Sequence, residues 1–384
     1  MVKFYKNFLV PTGLLAGTII GAGIFALPYT FKISGLSTGF FYLLIGTFIY
    51  CLVHLFYADI IVRTPGEHRF VGYAKIYLGR GAFWLAIAMS VLEMIFVMTI
   101  YLLLSVSFLN LVLTSAEPIV KLLLFWALAS VAIFLSLRKL AFAEFLIAWG
   151  MIAIIILIFV FGISHLNNIT IEDFQLNLSK IILPLGPILF ALGGRVAIPA
   201  LVKYFKIPGI GHQRHLLKRA IIAGTVIPAI VYGLFVLGIL GLSKQVSQDS
   251  VSGLIGQVSP VFLAVLGILG ILALWSSYIG VGSDINTTLL YDLKFPRSAR
   301  LLLVIVGPLL LYFLSSQNFI NLVGLAGGIF LPLEGIFMVV MWLIANKRLT
   351  KKSELLNNGK ILGAIIATIV FVIALSYQLL GMLQ

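Results

Sequence analysis

Apolar residues run along this chain in long unbroken blocks, separated by short polar segments. Neither the two-residue alternation of a half-buried strand nor the one-sided stripe of a surface helix describes them. A helical crossing of a bilayer needs roughly 20 predominantly apolar residues. Eleven blocks meet that need, at about 9–31, 37–62, 81–109, 119–137, 142–163, 181–205, 218–242, 260–290, 299–315, 318–345 and 360–382. The segments between them are too short for a soluble domain of useful size. The pattern predicts an all-α polytopic membrane protein, one domain over residues 1–384 with eleven transmembrane helices. The first block lacks a small-residue cleavage site and is expected to stay as a helix rather than leave as a signal peptide.

Composition agrees: 61% of residues are hydrophobic, 10% are charged, and the mean hydropathy is +1.17. A net charge of +14 raises the question of nucleic acid, and the placement of the basic residues answers it. With the N-terminus inside, 21 of the 26 Lys and Arg fall in segments on one side, among them Lys3, Arg63, Arg69, Arg138, Lys139, Lys203, Arg214, Arg300, Arg348, Lys351, Lys352 and Lys360. Only Lys32, Lys121, Lys180 and Lys244 fall on the other, and Arg195 lies inside a span. That asymmetry predicts a cytoplasmic N-terminus and, with an odd number of spans, an extracellular C-terminus. The expected location is a prokaryotic plasma membrane, and the basic loops are expected to meet lipid, not nucleic acid. Cys51 is the only cysteine, so an intramolecular disulfide or a cysteine metal cluster is excluded. The five histidines read as loop or span-end residues; only His212 and His215 stand close together, in a basic loop facing lipid headgroups.

Two spans carry an interruption. Residues 17–29 read Gly-Thr-Ile-Ile-Gly-Ala-Gly-Ile-Phe-Ala-Leu-Pro-Tyr. Three glycines in seven residues followed by Pro28 disfavour a continuous helix. Residues 183–204 break in the same manner: Gly23 precedes Pro28 by five residues and Gly194 precedes Pro199 by five, an offset of 171. Five spans lie between the copies, so the second enters from the opposite face. The reading is an inverted repeat of about 9–163 and 181–345, with 360–382 as an additional helix. Paired interrupted segments in corresponding places are the sequence pointer to a transporter binding site, because freed backbone groups inside a membrane must face protein or a polar cavity. Two blander readings compete: Gly17 and Gly21 have the spacing that packs helices tightly, and Gly and Pro are common in membrane helices.

The first of these segments resembles the first-helix signature of the amino acid, polyamine and organocation transporter superfamily. With Phe190 to Tyr204 and the eleven-span topology, the chain is most similar to its amino acid/auxin and aromatic amino acid permease branches. That resemblance implies a LeuT-type five-plus-five inverted repeat with helices 1 and 6 discontinuous. It implies a secondary active, ion-coupled amino acid symporter working by alternating access. The N–H groups of Ala22 and Gly23 would meet the substrate carboxylate. The Ile19 carbonyl, with Thr18, would sit near the ammonium, Gly21 would lie in the same break, and Phe190, Ala191, Gly193 and Gly194 would surround the side chain. Ala273, Ser276 and Ser277 put three oxygens within one helical turn. By resemblance they would join the carbonyls of Gly17 and Ile20 around sodium. Serines in membrane helices also bond their own backbone, and the aromatic branch is generally proton-coupled, so the coupling ion stays open between sodium and proton. The lysine that replaces sodium in some proton-coupled relatives has no counterpart between Phe142 and Ser164.

Four ionisable residues lie deep in spans: Glu93, Arg195, Asp284 and Glu334. Each is costly there and is expected to face a partner or a watery path. Arg195, directly after the second break, is placed to neutralise Glu93 or Asp284, to gate the inner vestibule or to contact an anionic substrate group, and a plain structural ion pair is the competing reading. Asp59 and Glu144 read as interfacial. An enzyme is not expected, since no nucleophile with a neighbouring base and no nucleotide loop occurs. A non-transporting amino acid sensor on the same fold remains the alternative function.

Overall fold

The computed structural model describes residues 5–134, 141–165, 178–206, 214–291, 293–315, 317–349, 353, 355–356 and 361–382. Lys3, Arg138, Lys139, His212, Lys351, Lys352 and Lys360 of the charge pattern lie outside the described residues, as does the side chain of Glu144.

Every regular element among the described residues is helical. The first span is α1 (Val10–Ile19), a 3-10 turn (Ala22–Ala26) and α2 (Leu27–Ser34). There follow α3 (Leu36–Arg63), the short α4 (Phe70–Leu78), α5 (Arg80–Asn110), α6 (Pro118–Ile133) and α7 (Ala141–Ile163). The sixth span is α8 (Leu178–Ile182), α9 (Leu185–Leu192), a 3-10 turn (Arg195–Ala197) and α10 (Ile198–Tyr204). Next come α11 (Arg214–Leu242), α12 (Pro260–Tyr291), α13 (Arg297–Leu301) and α14 (Gly307–Leu314), the last two joined by a π-helical turn (Leu302–Val306). A second π-helical turn (Ala326–Phe330) joins α15 (Phe319–Leu325) to α16 (Leu331–Arg348), and α17 (Ile361–Met382) is the last helix.

Among the described residues, eight helices are long and apolar enough to cross a membrane, and the bent first span makes a ninth. The expected fourth span corresponds to a shorter apolar helix, Pro118–Ile133, and the expected fifth to α7, 23 residues from Ala141 to Ile163. At 1.5 Å per residue a 16-residue helix reaches about 24 Å, short of the ~30 Å hydrocarbon core. Among the described residues the exact count of eleven is therefore not confirmed, the fourth span being the short one.

α11 lies at the centre, against α1, α3 and α7. It meets α7 backbone to backbone at Gly162 and Gly238, the small-residue contact by which helices associate in an apolar solvent. Outer faces of α6, α12 and α17 expose Leu, Ile and Val, such as Leu128, Val261 and Leu362, as lipid-facing surfaces do.

Two expectations are corrected. Asp59 is not interfacial: it is 1% exposed and accepts hydrogen bonds from Arg63 Nη1 at 3.0 Å, Trp342 Nε1 at 3.0 Å and Ser353 Oγ at 2.7 Å. Two of those donors come from α16 and the segment after it, 283 and 294 residues away in sequence, so local context could not reveal them. His54 is not at a span end: it lies within α3 and is completely buried.

Candidate functional site

The first break is built by backbone. α1 ends at Ile19, and Ile20 leaves helical geometry with φ −71° and ψ 92°. Gly21 is extended at φ −139° and ψ −152°. The segments on either side diverge by 49°. Pro28 sits in the first turn of α2, where its missing N–H and fixed φ cost nothing. The N–H groups of Ala22 and Gly23 open a new helical turn and so have no partner within it. Both residues are buried, which leaves two donors at the positive end of a helix dipole inside the protein.

The second break matches it. α9 ends at Leu192; Gly193 (φ −62°, ψ 119°) and Gly194 (φ −140°, ψ 14°) carry the chain into the 3-10 turn. Pro199 holds in α10 the place that Pro28 holds in α2.

The two breaks touch. A Cβ on Gly23 would run into the Cα of Ala191, and one on Gly194 would stand 2.6 Å from Ile19 Cγ1. Glycine is needed at position 23, where the neighbour is backbone, and gives room at 194, where it is the Ile19 side chain. The packing reading of the first-helix glycines fails where it was placed: a Cβ on Gly17 would meet nothing within 4 Å.

Sequence reading missed the side chain that ties the breaks together. Tyr232 of α11, fully buried, points its hydroxyl at the carbonyls of Ile19 (2.6 Å) and Ala191 (2.8 Å). One O–H proton serves one carbonyl at a time, so the hydroxyl is shared between the ends of α1 and α9. Tyr101 of α5 supplies a second hydroxyl, 3.9 Å from where a Gly21 Cβ would be and beside Ser277 of α12. The available signal was a hydroxyl-bearing aromatic at mid-span rather than in an interfacial belt. His54 is the third missed residue: its Nδ1 lies 3.0 Å from Thr225 Oγ1, and its ring lies beside Gly194. His54 and Thr225 are separated by 171 residues, the offset of the breaks. A contact between positions related by the repeat offset is what a pseudo-two-fold axis passing between them produces.

The other predicted residues are placed as follows. Thr18 is exposed and its hydroxyl bonds back to the Leu14 carbonyl at 2.9 Å. Phe190 is half-buried and Ala191 buried. Ala273, Ser276 and Ser277 are half-buried on one stretch of α12.

The charged residues are paired differently from expectation. Arg195 forms an ion pair with Glu334 of α16, not with Asp284. Glu93 of α5 lies close enough to Arg195 and Glu334 to interact with them electrostatically. The guanidinium lies 4.8 Å above the Phe70 ring, a cation–π contact. Asp284 instead accepts from Arg69 Nη1 at 3.0 Å, and the same nitrogen reaches Thr287 and Thr288. Glu334 follows the second π-helical turn and Pro332; such turns re-aim side chains and mark functional positions.

A cavity of about 50 Å³ opens on the face that carries the basic loops, lined by Tyr57, Arg69, Phe70, Ser90, Arg195, Asp284 and neighbours. A second, of about 200 Å³, lies on the opposite face among Ser107, Ser247, Gln248, Asp249 and Gln317. Neither of these two is lined by the residues of the first break, while Arg195, Val196 and Pro199, just after the second break, line the cavity on the basic face.

Two apposed broken helices, with buried backbone donors where they meet, define a secondary transporter of LeuT-type fold. The chain belongs to the tryptophan/tyrosine permease family, whose model matches residues 5–376. It is therefore an integral membrane permease for amino acids and not an enzyme. No protein of curated function matches the chain in sequence. Solved structures share the fold. Mhp1, a nucleobase-cation-symport-1 family transporter in a closed conformation with bromovinylhydantoin bound, is 17% identical with a TM-score of 0.66, over 97% of this chain and 92% of its own. A manganese transporter of Eremococcus coleocola, in complex with an aromatic bis-isothiourea substituted compound, is 14% identical with a TM-score of 0.69, over 100% and 88%. MhsT in complex with L-phenylalanine is 17% identical with a TM-score of 0.65, over 98% of both chains.

Proposed function

We propose that the protein carries an aromatic amino acid of the tryptophan or tyrosine class across the plasma membrane of a prokaryote, by alternating access around the two breaks. The observation that carries this reading is the pair of orphan N–H groups at Ala22 and Gly23, buried against Ala191 where the breaks meet. The carboxylate binds these donors, where the helix end favours an anion. The ammonium lies at the Ile19 carbonyl, which keeps a second acceptor lone pair beside its bond from Tyr232. Thr18 contributes once its hydroxyl leaves Leu14. Phe190, Ala191, Gly193 and Gly194 surround the side chain. The family assignment and the phenylalanine in the MhsT structure support an aromatic substrate.

Coupling is to sodium or to protons. A sodium site would draw on the carbonyls of Gly17, Ile20 and Ala273 and the hydroxyls of Ser276 and Ser277. The N-terminus is cytoplasmic and the C-terminus extracellular, by the basic-loop asymmetry.

Two experiments test this. In proteoliposomes, uptake of labelled L-tryptophan and L-tyrosine is expected to be saturable and to be competed by free aromatic amino acids. Their methyl esters, which lack the negative charge, are expected to compete poorly; equal competition by the esters would refute the carboxylate assignment. For orientation, in a Cys51→Ser background, Gln257→Cys is expected to react with an impermeant maleimide in intact cells and Glu67→Cys is not. Both positions are exposed, and the reverse labelling overturns the orientation.

A further inference from the structure

We propose that His54 reads the ring donor of the substrate: its Nε2 accepts the indole N–H of tryptophan or the phenol O–H of tyrosine and selects against aromatic side chains that lack one. The inference rests on the transport reading and adds the residue that selects within the aromatic class.

The hydrogen-bond network assigns the tautomer of the ring. His54 Nδ1 lies 3.0 Å from Thr225 Oγ1, and the same hydroxyl lies 2.9 Å from the Ile221 carbonyl, one turn back on α11. A carbonyl only accepts, so the hydroxyl proton goes to Ile221 and the Thr225 oxygen receives the Nδ1–H. Only this arrangement makes both contacts hydrogen bonds. A neutral imidazole protonated on Nδ1 carries a lone pair on Nε2. That nitrogen has no partner, in a side chain that is 0% exposed. An unpaired buried acceptor is costly, and native proteins keep few of them.

Its position gives the acceptor a use. Cε1, the ring carbon bonded to Nε2, stands 3.2 Å from where a Cβ of Gly194 would be, and Ile19 Cγ1 stands 2.6 Å from the same point. The acceptor thus lies at the second break, beside the residue whose carbonyl is assigned the ammonium. Phe190, Ala191, Gly193 and Gly194, assigned to the substrate side chain, carry no side-chain polar atom. α3 brings a second orphan to the same place: the hydroxyl of Tyr50, 3% exposed and without a partner, on a ring 5.3 Å from that of His54. Tyr50 precedes His54 by four residues, so both sit on one face of the helix.

Substrate chemistry fits these two groups. Tryptophan offers an indole N–H and tyrosine a phenol O–H, whereas phenylalanine offers neither; the family description names the first two. The phenol oxygen of tyrosine can also accept from the Tyr50 hydroxyl. A site built around a buried acceptor discriminates by the cost of leaving it unpaired, which a wholly apolar pocket cannot do. His54 is therefore the specificity-determining residue, and Thr225 a positioning residue that holds its tautomer.

Competition against labelled L-tryptophan on the purified protein tests the contact with an isosteric probe, benzothienylalanine, in which sulfur replaces the indole N–H. The wild type is expected to bind tryptophan about tenfold or more tighter than the probe. In His54→Phe, which keeps a flat ring without an acceptor, the two should bind equally, and His54→Gln, with an amide oxygen, should keep part of the preference. Thr225→Val should lower the ratio with the imidazole still in place, because Nδ1 then has no acceptor to hold its proton there. A ratio of affinities is not moved by a general loss of stability, and the wild-type comparison needs no variant to fold. Equal binding of tryptophan and the probe by the wild type, or the wild-type ratio in His54→Phe, overturns the proposal and leaves transport of aromatic amino acids standing. A wild type that neither binds nor carries tryptophan and tyrosine overturns the transport reading and this proposal with it.

Discussion

The two helix breaks share a backbone design and differ in what they carry. The first, from Ile19 to Ala26, contains no ionisable side chain and offers amides and carbonyls alone. The second continues directly into Arg195, which is ion-paired with Glu334 of another helix. One break thus presents fixed dipoles, suited to a zwitterion that must be released again. The other presents a formal charge held against a buried carboxylate. Backbone dipoles bind without a counter-ion to desolvate, whereas a buried charge binds only with its partner in place. On the functional reading proposed above, the zwitterion is met at the first break, and the two breaks differ through the residues placed around a shared Gly and Pro frame.

The largest expected effect lies at the charged break. Arg195→Ala strands Glu334 in the protein interior, and removal of one partner of a buried pair costs about 3–5 kcal/mol. Thermal unfolding in detergent should show a large loss of stability, most of it recovered in the Arg195→Ala/Glu334→Gln double variant. No recovery would mean that the charges are not coupled in this way.

Next comes a comparison of the glycines. Gly23→Ala drives a methyl into the backbone of Ala191, which cannot move aside, while Gly194→Ala meets the side chain of Ile19, which can turn away. Overpacking costs roughly 1–3 kcal/mol, and Gly23 is expected at the upper end and Gly194 at the lower. Substrate affinity measured by thermal shift should rank them in that order. Gly23→Val should abolish uptake altogether.

Tyr232→Phe removes the hydroxyl shared by the two breaks. A neutral hydrogen bond contributes about 0.5–1.5 kcal/mol, so a drop in substrate affinity of up to about tenfold is expected. An unchanged affinity would show that apposition of the breaks rests on the glycines alone.

The smallest effect separates the coupling ions. If sodium binds at Ser276 and Ser277, replacing either with Ala should raise the sodium concentration needed for half-maximal uptake by a few-fold, on the order of one lost oxygen ligand. Proton coupling leaves uptake in both variants indifferent to sodium.

Much of the fold is legible in the chain because a bilayer imposes length, apolarity and charge bias on each segment separately. Helical class, the broken first and sixth spans and the burial of Glu93, Arg195 and Glu334 all follow from local composition. So does the interruption itself, since Gly and Pro act on their own backbone. Pairing across the bundle does not follow. Local reading offers Arg195 the acids Glu93 and Asp284, whereas its ion pair is with Glu334. It puts Asp59 at the interface, whereas donors arrive from Trp342 and Ser353 to bury it. Tyr101, Tyr232 and His54 give no sequence signal beyond a polar atom in an apolar run. The role of each such side chain depends on which helix faces it, and many apolar helix faces look alike in sequence.

The sequence by itself determined where the chain must cross, where it must break, and which charges would need partners, because these are properties of residues meeting a solvent. Tertiary structure decided which residues meet one another: Gly23 against Ala191, Tyr232 between the two breaks, and Glu334 against Arg195. Apolar helices pack through shape with little directional preference, so helix order and rotation are fixed only when all of them close around one core.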